Sequence, residues 1–180
     1  METHLLDSIR HVFRSIKAAG DGALAQLSLE EMHRLPAPES NSIAVIIRHL
    51  NGNMISRWTD FLTTDGEKPT RNRDAEFEAP SVTSREELLA SWEEGWRSVF
   101  ATLDSLRPED LTATITIRGQ AHSVVEACHR QMYHYGYHIG QIVQLAKMIK
   151  GSGWRTLSIA RGASKDYVPS GKHGEAKMRG

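Results

Sequence analysis

His134 and His138 stand four residues apart in the run Tyr133-His134-Tyr135-Gly136-Tyr137-His138-Ile139-Gly140-Gln141. On a helix, residues i and i+4 project from one face about 6 Å apart, so two imidazoles placed this way can share one metal ion. The chain has nine histidines, enough for about 0.4 such pairs to arise by chance. Two hydrogen-bonded imidazoles bordering a core are therefore the ordinary alternative. A catalytic site of the zinc type needs three protein ligands and an open position for water or substrate. The third ligand would come from another helix, and His49 in Arg48-His49-Leu50-Asn51-Gly52-Asn53 is the best candidate, because it too lies beside an apolar stripe. Three neutral imidazoles would leave the full double charge on the ion, which acidifies a bound water toward neutrality and ionises a bound thiol. Imidazole-only sites suit several first-row divalent metals, with Zn²⁺ or Ni²⁺ the leading expectations.

Four long amphipathic segments could position these histidines. Leu5, Leu6, Ile9, Val12, Phe13, Ile16, Ala23, Leu24 and Leu27 keep one helical phase, which predicts a helix over about residues 3–27 with a bend at Gly20 and Gly22. Ser28-Leu29-Glu30-Glu31 has capping-box form and opens a short turn before Pro36 and Pro38. A second long helix starts after Asn41 or Ser42, carries Ile43, Ile46, Ile47, Leu50, Met54, Trp58, Phe61 and Leu62, and has Gly66 in position to close it. Residues 67–83 read as a long surface loop with only Phe77 and Val82 as large apolar side chains, and loops of this length are often functional. Ser84-Arg85-Glu86-Glu87 opens the third long helix, with Trp92 and Trp96 inward. Thr112 to Ile117, followed by Arg118-Gly119-Gln120, predicts a small β-hairpin. Ser123-Val124-Val125-Glu126 opens the last helix, which runs to about Lys150 and stops at Gly151. The fold expected is all-α: a four-helix bundle with a small β-hairpin between the third and fourth long helices. Residues 1–168 form a single domain, with Trp154, Leu157 and Ile159 docking the final stretch, and residues 169–180 a disordered tail without an apolar anchor.

On the last helix, at about 100° per residue, His138 lies about 40° from His134 and Gln141 about 20° to the other side. The histidines thus share a polar strip at the edge of an apolar stripe that includes Cys128, Tyr135, Ile139 and Ile142. Gln141 on this strip, and Asn53 one turn after His49, could orient ligands or bind a metal-held water. Arg130 points near the pair, to bind a carboxylate or reach solvent. Arg161, beside Lys165 in a small-residue tail, could reach an anionic substrate. Tyr133, Tyr135 and Tyr137 are expected to pack between helices, and Gly136 with Gly140 to admit a close neighbour, either inside the fold or in a second copy of the chain.

Bulk properties narrow the partners. Lysine plus arginine equals aspartate plus glutamate at 22 each among 180 residues, so no global field favours nucleic acid. No apolar run is long enough to span a membrane, and Met1-Glu2-Thr3-His4 does not begin a secretory signal, so a cytoplasmic protein is expected. The single Cys128 excludes an intramolecular disulfide and a cysteine-rich zinc site.

Three segments together resemble the DinB-like superfamily: Asn41-Ser42-Ile43-Ala44-Val45-Ile46-Ile47-Arg48-His49-Leu50, His134 to Gln141, and Trp154-Arg155-Thr156-Leu157-Ser158-Ile159-Ala160-Arg161-Gly162. The likeness covers residues 3–168 and is nearest to a bacterial branch known only as a domain of unknown function. It implies a four-helix bundle holding a divalent metal through one histidine of the second long helix and two of the last, which match His49, His134 and His138. Characterised members include transferases that join a low-molecular-weight thiol, such as bacillithiol or mycothiol, to an electrophile. The resemblance thus implies a metal-dependent enzyme, a thiol transferase or a hydrolase, acting on a small molecule. The alternative is a non-enzymatic bundle that binds a metal or small molecule. No separate nucleophile is visible, and a homodimer is a candidate assembly.

Overall fold

Four long helices carry the chain, each held by one buried face, and the last three are started by a capping serine. The computed structural model describes residues 1–78, 84–169 and 176–178. Helix α1 (Glu2–Leu24) buries Leu6, Ile9, Phe13, Ala23 and Leu24. It runs on through Gly20, where the bare Cα lets the Trp92 indole approach: a Cβ there would lie 2.7 Å from the ring. After it, the Ser28 capping box opens the one-turn helix α2 (Leu29–His33). Helix α3 (Ile43–Trp58) begins where the Ser42 side chain accepts the Val45 N–H. Helix α4 (Arg85–Ser105) begins likewise at Ser84, and α5 (Val124–Lys150) at a complete Ser123–Glu126 capping box. Gly151, at φ 53°, ends α5 in the left-handed region that favours glycine. Among the described residues no helix is long and apolar enough to cross a membrane.

Helix α3 packs along α4, and α1 along α5. The core between them is centred on aromatic rings. Phe13 meets Trp58 edge-on at 5.4 Å and Tyr135 at 6.0 Å, and Trp96 meets Tyr135 at 5.7 Å. The fully buried Tyr135 hydroxyl accepts from Trp58 Nε1 (2.9 Å) and Gln131 Nε2 (2.9 Å) and donates to Asn53 Oδ1 (3.2 Å). Asn53 also accepts from Gln131 (2.7 Å). This closed polar network ties α3 to α5 in one register, so His134, next in sequence to Tyr135, has a fixed position relative to His49. Removing the Tyr135 hydroxyl would strand buried donors at about 1–3 kcal/mol.

Strands β1 (Thr114–Ile117) and β2 (Gln120–Ser123) form the expected antiparallel hairpin, turned at Arg118-Gly119, and bury Ile115 and Ile117. Short strands β3 (Tyr167–Pro169) and β4 (Ala176–Met178) pair antiparallel. The remainder of the tail expected to be disordered lies outside the described residues, as does Val82 of the long loop. The segment after α5 docks through Trp154 and through paired bonds between Gln26 and the Arg155 backbone, while Leu157 and Ile159 stay partly exposed.

Three expectations are corrected. Gly66 does not close α3, which stops at Trp58; its amide donates instead to Thr116 O on the hairpin, and its carbonyl accepts from Ser56 Oγ and Arg57. Tyr133 and Tyr137 are not packed between helices but are 78 % and 55 % exposed, because they fall off the apolar stripe that holds Tyr135. Gly136 and Gly140 face open space: a Cβ added at either would meet nothing within 4 Å among the described residues, so no helix of the fold approaches there.

Burial alone pushes the Cys128 thiol up to about 12, so almost none of it is thiolate at neutral pH. Native protein at pH 8 should therefore resist an aromatic disulfide reagent and be labelled only as fast as it unfolds. Rapid labelling of the native protein would show that the α5 core face is open.

Candidate metal centre

Helices α3 and α5 bring His49, His134 and His138 together, with one nitrogen of each ring within 4.8 Å of the others. Ring centroids are separated by 5.2 Å (His49–His134), 5.0 Å (His49–His138) and 4.8 Å (His134–His138). The i, i+4 spacing on α5 accounts for the last pair. His49 enters from α3 at a buried position between Ile46 and Leu50 on the helix's inner face.

Two of the rings are oriented by side chains behind them. His49 Nδ1–H donates to Glu76 Oε2 at 2.8 Å, and His138 Nδ1–H donates to Gln141 Oε1 at 2.8 Å. A carboxylate and an amide oxygen can only accept, so both rings carry their proton on Nδ1 and present a bare Nε2. His49 Nε2 lies 3.2 Å from His134 Nε2. Two nitrogens on one tetrahedral zinc ion, at bonds of about 2.05 Å, would be about 3.3 Å apart. The buried His134 Nδ1 has no hydrogen-bond partner among the described residues, so that ring is held only from its Nε2 end. These three rings, with two tautomers already fixed for Nε2 ligation, fit a divalent ion that prefers nitrogen ligands.

The electrostatics keep His134 and His138 neutral. Burial, with His138, His49 and nearby Arg71 and Arg57 adding to it, pushes His134 down to about 3. Burial and His49 also lower His138, against the hydrogen bond it donates to Gln141. Burial disfavours the charged form of Glu76, yet the bonds from His49 and Arg71 outweigh it and hold that carboxyl below the usual carboxylate range.

Glu76 sits in a 3₁₀ turn, Asp74–Phe77, within the long loop after α3. It is only 6 % exposed. Arg71 grips it from the far side, Nε to Oε1 at 2.7 Å and a terminal nitrogen to Oε2 at 2.9 Å. Phe77 lies over the His49 ring at 4.8 Å. Gly52 on α3 makes room for the carboxyl: a Cβ there would lie 2.8 Å from Glu76 Cδ, with the oxygen nearer still. The loop expected at the surface is thus partly a wall of the site. Its signal in the sequence is Phe77, an apolar anchor in an otherwise polar run.

The histidines open onto a cleft of about 500 Å³ that Asn53, Arg130 and Gln141 also line. Asn53 faces it with its Oδ1 already engaged by Gln131 and Tyr135. Arg161 is exposed and is not part of this lining, so the tail does not bring it to the histidines. Sequence reasoning missed Glu76, Arg71 and Phe77, which sit on irregular backbone, and Gln131, which has the angular position of a strip residue but is buried in the Tyr135 network.

Two outcomes follow from this geometry. Gly52→Ala should raise the intrinsic helix preference of α3 by about 1 kcal/mol while displacing Glu76. Zinc affinity, measured by competition with a chromogenic chelator, should fall roughly 10–100-fold, as loss of an outer carboxylate partner does. Unchanged affinity would show that Glu76 does not position His49. Metal-free protein should also lose stability in acid. Neutral His134 and His138 leave the folded state with fewer bound protons than the unfolded chain, so this contribution is present above pH 6.5 and declines as pH falls from there toward 3. Urea midpoints at pH 7.5 and 5 should show this slope, and His134→Gln should flatten it.

Residues 1–163 match a family described as "Protein of unknown function (DUF1572)". No curated protein matches the chain. A conserved protein from Enterococcus faecalis, known from its crystal structure, is similar in fold, with a TM-score of 0.53 at 18 % identity over 83 % of this chain and 95 % of that one. With the family match spanning nearly its whole length, the chain belongs to the DUF1572 family.

Proposed function

We propose that the protein is a DinB-like metal-dependent enzyme, a thiol S-transferase that takes a low-molecular-weight thiol and a small electrophile at a three-histidine divalent metal centre. The observation that carries the reading is the convergence of three imidazoles from two helices, two of them with Nδ1 committed to Glu76 and Gln141. On this reading α1, α3, α4 and α5 are the four helices of a DinB-like bundle, and residues 1–168 are one domain working in the cytoplasm.

His49, His134 and His138 would hold the ion, with Zn²⁺ or Ni²⁺ the best suited. Bound there with an open position, the ion supplies Lewis-acid character that favours the ionised form of a thiol or water. The protein's share is orientation and exclusion. Glu76 holds the His49 tautomer and ring orientation, while Arg71 keeps that carboxylate in place. Gln141 does the same for His138. Among the fourteen side chains lining the cleft, no aspartate, glutamate or cysteine competes as a ligand or nucleophile. The cleft volume of about 500 Å³ suits a small molecule.

Untagged protein, analysed for metals after dialysis against Zn²⁺ or Ni²⁺, should hold one equivalent. His138→Ala should lose more affinity than the roughly 10–100-fold expected from removing an outer partner. Metal-loaded wild type should then accelerate conjugation of monobromobimane with at least one cellular thiol, and the variant should not. Absence of stoichiometric metal in the wild type would overturn the proposal; metal without turnover on any thiol would leave a binding protein instead of a transferase.

A further inference from the structure

Among the described residues, the cleft in front of the histidines is lined by five arginines and no carboxylate, in a chain whose acidic and basic residues balance at 22 each. These arginines fall into two groups. Arg57, Arg71 and Arg118 are tied into the wall. Arg57 pairs with Glu67 at 2.8 Å, Arg118 pairs with the same carboxylate at 2.8 Å, and Arg71 divides itself between Glu76 and Glu67. Three guanidinium groups thus share two carboxylates, and both of those acids stand behind the cleft surface, outside its lining.

Arg73 and Arg130 are placed differently. Arg130 lies one helical turn before His134 and two before His138 on α5, so all three line the cleft in a row. It is exposed and has no ion pair among the described residues. Arg73 comes from the other wall, just before the turn that carries Glu76. Its guanidinium sits over the Phe77 ring at 5.0 Å, and Phe77 in turn covers His49. Its ion-pair contact is with the fully solvated Asp74 at 4.0 Å, too long and too exposed to neutralise it. Two guanidinium groups, one on each wall and neither committed, therefore flank the triad, with a ring of further positive charge behind them. Planar guanidinium groups match carboxylate and phosphate oxygens, which they bind through paired N–H bonds.

We propose that the small molecule taken by this cleft carries an oxyanion, a carboxylate or a phosphate monoester, that Arg73 and Arg130 grip while its reactive end faces the histidines. The inference rests on the metal-site reading for which end reacts, but the anion grip itself belongs to the arginines. It also gives a purpose to Arg73 and Arg130, which are exposed and, unlike Arg57, Arg71 and Arg118, make no close ion pair among the described residues.

Isothermal titration with succinate and with phenyl phosphate, at low and moderate salt, tests this on wild type, Arg73→Ala, Arg130→Ala and the double variant, each with and without Zn²⁺. Both positions are exposed, so the variants should fold and bind zinc as the wild type does. At least one probe should bind the wild type with an affinity that falls as salt rises. Each single variant should weaken it roughly tenfold, the scale of one charged hydrogen-bond pair, and the double variant further. Succinate and phenyl phosphate separate the two kinds of oxyanion. Binding of neither probe, equal binding of the neutral succinamide, or unchanged affinity in the double variant would overturn the proposal. The metal reading fails separately: protein that takes up no zinc yet binds the anion through both arginines keeps the grip and loses the metal centre, and the reverse result does the opposite.

Discussion

The Glu76 carboxylate is the interaction on which the site's arrangement depends. It is buried, it accepts from His49 Nδ1, and it is clamped by Arg71. An ionised carboxylate in such a place is costly unless every oxygen is used, and here both oxygens are. The same contacts serve three purposes. They hold the loop after α3 against the helix, they set the His49 tautomer, and they bring Arg71 and the Glu67 network to the back wall of the cleft. Gly52 permits all of this by having no side chain where the carboxyl lies.

A second constraint comes from the core. Tyr135 lies next to His134 on α5 and is wholly buried among Phe13, Trp96 and the Trp58–Gln131–Asn53 hydrogen bonds. Because these bonds cross from α5 to α3, sliding one helix along the other would break them before it separated the histidines. Packing thus supplies the rigidity of the site and the loop supplies its polarity. Of the cleft's cations, Arg57, Arg71 and Arg118 are paired with Glu67 or Glu76, while Arg73 and Arg130 make no close ion pair among the described residues.

How much of this is legible in the residues depends on whether backbone regularity carries the signal. The long helices announce themselves through apolar periodicity and, after the first, through Ser42, Ser84 and Ser123, each of which accepts a backbone N–H at its helix start. The same periodicity makes His134 and His138 neighbours, and the edge of the α3 stripe points His49 toward them. Glu76 and Arg71 have no such signal, because a 3₁₀ turn in a long polar stretch has no period to read. Tyr133 and Tyr137 mislead for the opposite reason: their aromatic type suggests packing, while their angular position on α5 places them in solvent. Gly136 and Gly140 show that small residues at helical spacing mark a contact only when another element lies opposite, and among the described residues none does.

On the proposed function, three imidazoles from α3 and α5 hold one ion through their ring nitrogens. X-ray absorption at the zinc edge of the loaded protein measures this directly. The spectrum should show three imidazole nitrogens at about 2.0–2.1 Å with one further light-atom ligand, reduced by one imidazole in the His49→Ala protein. A shell with fewer than three imidazoles, or one unchanged by removing His49, would place the ion elsewhere and rule out a His49–His134–His138 centre.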